Sequence, residues 1–126
     1  YLNDLIRNKL ITPHQSELKT VFHNPCELGR GCDVYAAPDQ VLQTVSHKLA
    51  TVYDGKNSLC CGGSLANIHI DPGQRTRISS DAVKAYLSYQ PDLLVTACPL
   101  CKKTFMKTDT AVPIKDIAEV VAENCR

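Results

Sequence analysis

The chain has 126 residues, with 14 Lys or Arg against 13 Asp or Glu and a formal net charge of +1. That length fits one domain able to bury an apolar core without disulfide staples. The balanced charge, with no run of basic residues longer than two, excludes a phosphate-tracking surface and with it nucleic acid as a partner. No apolar stretch approaches the roughly 18–20 residues of a membrane span. The opening YLNDLIRNKL is charged and amphipathic rather than a signal peptide, so a cytoplasmic protein with no direct membrane span is expected.

In chain order, Leu2, Leu5, Ile6 and Leu10 recur at helical spacing and predict a short amphipathic helix over residues 1–11, closed by Pro13. LKTVFH at 18–23 reads as a buried strand that runs out at Asn24-Pro25-Cys26. A second helix is expected to start near Pro38, with Asp39 at its positive end and Val41, Leu42 and Val45 turned inward. A strand is predicted near Leu49–Tyr53, then a turn at Asp54-Gly55-Lys56-Asn57 and the irregular stretch Ser58-Leu59-Cys60-Cys61-Gly62-Gly63. Asp71-Pro72 reads as the cap and first turn of a third helix with Ile78, Ala82, Ala85, Tyr86 and Tyr89 facing the core, ended by Pro91. Leu93–Ala97 has the continuous apolar character of a fully buried strand, and Cys98-Pro99-Leu100-Cys101 turns into a helix through about Lys107. A strand at Val112–Lys115 and a helix at Ile117–Asn124 complete the chain.

Strand–helix alternation of this kind predicts an α/β fold, a mostly parallel sheet of about four strands with helices on both faces. Ligands of such sheets sit beyond the carboxyl ends of the strands. Cys26, Cys60-Cys61 and Cys98/Cys101 each follow a predicted strand, so three separate segments are expected to bring five thiols to one sheet edge.

The cysteines are the unusual feature: seven in all, an odd number, with one adjacent pair and one CxxC. This pattern argues against a secreted disulfide framework and for metal or redox chemistry. Cys98-x-x-Cys101 between strand and helix sets both sulfurs over a helix N-terminus, which favours the metal-binding thiolate. Alone, the motif leaves structural zinc, iron–sulfur ligation and thioredoxin-type chemistry open. The adjacent pair Cys60-Cys61 needs an irregular turn to use both sulfurs at one site, and Gly62-Gly63 permits one. Pro25 and Gly29 shape the exit past Cys26. His23 is read as a strand-end histidine with structural hydrogen bonds, the alternative being a metal ligand or its supporting donor. Arg30, Lys102 and Lys103 lie near enough to offset thiolate charge, although such residues are more often simply solvated. Cys32 and Cys125 are taken as incidental.

The spacing Cys26-x33-Cys60-Cys61-x36-Cys98-x2-Cys101, with the flanks HNPCELGR, SLCCGG and TACPLCKKTF, resembles the cysteine-rich CCG domain family. That family includes heterodisulfide reductase B/D-type subunits, the iron–sulfur subunits of glycolate oxidase and anaerobic glycerol-3-phosphate dehydrogenase, and lactate-utilisation iron–sulfur proteins. Asn24 stands where the family more often has Asp, and Cys32 is an additional thiol. The resemblance implies a Rossmann-like domain over residues 1–126 whose five cysteines hold a 4Fe–4S cluster, non-cubane in the heterodisulfide reductases. It also implies the C-terminal part of a longer iron–sulfur protein. The expected partners are a ferredoxin-like iron–sulfur domain or a flavoprotein subunit of the same complex. Function is then expected in electron transfer or thiol/disulfide reduction, as a component of an oxidoreductase rather than an enzyme on its own. The alternative is a structural or regulatory zinc module on the same cysteines, since some family domains bind zinc. A dithiol oxidoreductase using Cys98 and Cys101 ranks last, because it leaves the Cys60-Cys61 pair without a task.

Overall fold

In the computed structural model, which describes residues 1–125 and their side chains apart from that of Ala66, four parallel strands form one sheet in the order β2-β1-β3-β4. The strands are β1 (Lys19–His23), β2 (His47–Lys48), β3 (Leu93–Thr96) and β4 (Ile114–Asp116). Their register pairs Val21 with Leu94 and Phe22 with Val95, so the two members of each ladder pair share a face and successive pairs alternate. Val21 and Leu94 point into a core with Ala82, Val83 and Tyr86 of α3 (Pro72–Leu87) and Phe105 of α4 (Pro99–Phe105). Phe22 and Val95 point the other way, onto Val41, Leu42 and Val45 of α2 (Ala36–Val45) and Val120 and Val121 of α5 (Ile117–Asn124). Leu2 and Ile6 of α1 (Leu2–Arg7) pack at the edge of this second core. The expected α/β fold, parallel sheet with helices on both faces, is what forms. Among the described residues no helix is long and apolar enough to cross a membrane.

Helix ends follow their chemistry. The Asp71 carboxylate accepts from the N–H groups of Gly73 and Gln74 and caps α3. At α5, Asp116 and Glu119 form a capping box, satisfying first-turn donors reciprocally.

Three expectations shift. Helix α1 stops at Arg7 rather than residue 11, because Lys9 adopts a φ of 56° and the chain folds back with Leu10 N–H on the Leu5 carbonyl. The second strand is His47–Lys48, ahead of Leu49–Tyr53, since the Asp54 carboxylate draws the Thr51 N–H and hydroxyl into a turn. Cys60-Cys61 therefore follows a loop rather than a strand. Between β1 and α2 the chain also makes a single π-helical turn, Glu27–Gly31, directly after Cys26.

Candidate metal centre

The strand order places β1 beside β3, with β2 and β4 outside them. β1 leads to β2 on one flank and β3 leads to β4 on the other, so a crevice opens beyond the carboxyl ends of β1 and β3, the usual ligand position in such sheets. Cys26 follows β1 and Cys98 follows β3. Both line a cavity of about 260 Å³ that Cys61 and Cys101 also line. Exposed Leu65 and Leu100 border the same cavity.

Each sulfur is held differently. Cys98 is the N-cap of α4 and its sulfur accepts from the Cys101 N–H at 3.5 Å, with Pro99 in the first turn. Cys101, one turn into the helix, is buried. Its thiol donates towards Cys61, which holds Cys61 below the ordinary thiol range and, with burial, pushes Cys101 above it. The Gly63 N–H also reaches the Cys61 sulfur, at 3.4 Å.

Cys60 is the exception, as it does not line the cavity. Its sulfur accepts from the Gly62 N–H and from Asn67 Nδ2, each at 3.3 Å. Asn67 ends a 3-10 turn, Leu65–Asn67, just beyond the glycines. So the adjacent pair divides, one sulfur to the cavity and one to Asn67. Asn67 carried no signal in the sequence, because its role depends on where that short turn brings it.

The basic residues mostly serve the scaffold. Arg30 Nη1 donates to the Ser58 and Lys56 carbonyls at 2.9 and 3.2 Å, tying down the approach to Cys60. Lys102 Nζ sits 2.7 Å from both Glu119 oxygens, and Lys103 is exposed. Both ring nitrogens of His23 are occupied by Thr96 and Leu59, which is the structural role expected of it. Cys32 and Cys125 are exposed.

Among the described residues no three His, Cys, Asp or Glu side chains stand close enough together to hold one metal ion. The sulfurs are spread around a space instead. Soft thiols ringing a cavity of that volume fit a polynuclear iron–sulfur group by donor type and by room.

The comparisons with known proteins agree with this chemistry. Over 98% of its length the chain is 33% identical to a subunit of the dihydromethanophenazine:CoB–CoM heterodisulfide reductase of Methanosarcina mazei. It is 30% identical over 97% of its length to a probable membrane-anchored ferredoxin of Chromohalobacter salexigens. A probable iron–sulfur-binding oxidoreductase of Bacillus subtilis is 22% identical over 98%. The chain spans 32%, 19% and 19% of those three proteins, so it corresponds to one part of each. Residues 20–106 match the family profile described as the CCG cysteine-rich domain, a span that takes in all five cysteines of the spacing pattern. The chain belongs to the CCG cysteine-rich domain family.

Proposed function

We propose that this domain holds a 4Fe–4S cluster on Cys26, Cys60, Cys61, Cys98 and Cys101 and serves as the iron–sulfur component of an oxidoreductase complex. Its work is electron transfer or the reduction of a thiol/disulfide substrate, in the cytoplasm, beside a ferredoxin-like iron–sulfur domain or a flavoprotein subunit. The observation that carries this reading is the arrival of Cys26, Cys61, Cys98 and Cys101 at one cavity beyond β1 and β3. Relatives named as a heterodisulfide reductase subunit and as an iron–sulfur-binding oxidoreductase support it.

When bound, the cluster supplies one-electron chemistry at a potential set by its ligands, hydrogen bonds and burial. The protein's own groups prepare for it. Cys61 and Cys101 would both hold the group as thiolates, and the depressed Cys61 thiol is the readier of the two to lose its proton. Gly62 and Gly63 direct N–H groups at the Cys60 and Cys61 sulfurs, stabilising negative charge there. Cys60, held by Asn67 and outside the cavity lining, would supply the fifth sulfur of the set.

The test is iron, acid-labile sulfide and zinc per chain in protein made and purified without oxygen. About four irons and four sulfides with brown visible absorption are expected. One zinc and no sulfide overturns the proposal in favour of a tetrahedral zinc module. Cys61→Ser and Cys98→Ser should each abolish cluster assembly while Cys125→Ser leaves it intact. Equal content in the three variants overturns the ligand assignment.

A further inference from the structure

His23 and Thr96, the last residues of β1 and β3, are direct partners in the parallel ladder. Both side chains are buried on the α3/α4 side of the sheet, His23 at 1% exposure and Thr96 at 0%. His23 Nδ1 lies 2.8 Å from Thr96 Oγ1, and Nε2 lies 2.9 Å from the Leu59 carbonyl oxygen. A carbonyl can only accept, so Nε2 carries the proton and Nδ1 accepts from the Thr96 hydroxyl. Burial keeps the imidazole neutral by drawing its pKa down to about 4. Tyr86 and Phe105 meet the ring edge-on, with centroids 5.9 and 4.8 Å away, and fix its plane.

Each of these attachments leads to a cysteine. From His23 the chain passes through Asn24 and Pro25 to Cys26; Thr96 is followed by Ala97 and Cys98; Leu59 immediately precedes Cys60. The Leu59 peptide is gripped on its other side as well, its N–H donating to Tyr86 Oη at 3.3 Å. Ser58 Oγ donates to the Asn24 carbonyl at 2.7 Å, joining the same two segments a second time. The loop before Cys60 has no strand ladder to place it, so these side-chain bonds, with those of Arg30 to the Lys56 and Ser58 carbonyls, place the pair of cysteines.

We infer that His23 is a positioning residue: one imidazole sets the three cysteine-bearing segments in register around the cavity. It acts through the Leu59 carbonyl and the Thr96 hydroxyl rather than as a ligand. The inference deepens the proposed function, and its metal readout rests on that reading.

The substitution His23→Phe keeps the aromatic volume and the edge-on packing but removes both hydrogen bonds. His23→Gln returns an amide N–H within reach of Leu59. Both are compared with the wild type by far-UV circular dichroism, iron and sulfide content, and electron paramagnetic resonance of the reduced cluster. In His23→Phe cluster occupancy should fall by about tenfold, the order expected when a supporting hydrogen bond is lost, and residual signal should change shape. His23→Gln should restore most of both. A folded His23→Phe protein with wild-type occupancy and an unchanged spectrum overturns the inference.

A second measurement does not need the cluster. In metal-free, reduced protein, alkylation of Cys60 and Cys61 by iodoacetamide should be several-fold faster in His23→Phe than in the wild type, with Cys125 unchanged. Equal rates at Cys60 and Cys61 overturn the inference even if the wild type binds no iron, so its failure is distinct from that of the proposed function. Should His23→Phe not fold, Thr96→Val replaces it in both measurements with the same expected directions.

Discussion

A Cβ on Gly62 would stand 2.7 Å from the Arg75 carbonyl oxygen, so the loop carrying Cys60 and Cys61 lies backbone to backbone against helix α3. Gly62 also has a φ of +80°, a conformation costly for any residue with a side chain. Gly62→Ala should therefore destabilise the fold by about 2 kcal/mol or more, combining strain with a backbone clash. At Gly31, where a Cβ would make only ordinary contact at 3.7 Å, alanine should be close to neutral. Urea unfolding of the two variants checks the contrast.

Buried His23 makes stability depend on pH. Its pKa is about 4 in the folded state against an ordinary value of 6.5, so between those limits the unfolded chain binds more protons. Its contribution is intact above pH 6.5 and is lost as pH falls through 4, about 3 kcal/mol in total. Urea titrations of metal-free protein across this window should show that slope, and the difference between wild type and His23→Gln isolates it.

The division of the cysteine pair separates two kinds of ligand set. With five cysteines at one cluster, Cys60→Ser should retain a cluster of altered paramagnetic signature, whereas Cys32→Ser should match the wild type. Asn67→Ala removes a donor from the Cys60 sulfur and should lower the midpoint potential, read by anaerobic redox titration.

Lys102 tests whether basic residues near the site matter to it. It is paired with Glu119, a half-exposed carboxylate held below its usual range first by Lys102 and then by the Asp116 N–H. Glu119→Ala breaks the capping box and the ion pair together and should cost about 1 kcal/mol. Iron content should not change, because the pair faces α5 rather than the thiols. Thermal unfolding and iron analysis of one sample answer both points.

Much of the fold was legible because the relevant signals are local. Leu93–Ala97 reads as a buried strand from its apolar run, and Asp71-Pro72 announces the start of α3. Val41, Leu42 and Val45 show the inward face of α2 by spacing alone, and all three are buried. The second strand was not legible: Leu49–Tyr53 has the more apolar composition, but pairing with Lys19 and Thr20 of β1 selects His47 and Lys48. Lys48 is then held by Asp39 and Asp54 at 2.7 and 3.1 Å, contacts reaching from α2 and from the following turn that no periodicity encodes. At the site, the spacing of the cysteines singles out five residues, of which Cys26, Cys61, Cys98 and Cys101 line the cavity. The face taken by Cys60 depends instead on Asn67, and the centrality of His23 depends on a ladder partner 73 positions away.

The crevice beyond β1 and β3 is walled by segments that only the finished sheet brings together. A prosthetic group bonded to sulfurs from all of them would act as a cross-link, closing long loops that the unfolded chain must otherwise leave open. Loading would then stiffen the domain much as a disulfide does. Oxidative loss of the group would cut the staple and lower resistance to unfolding and proteolysis in the same event, tying the lifetime of the polypeptide to the redox state of its surroundings.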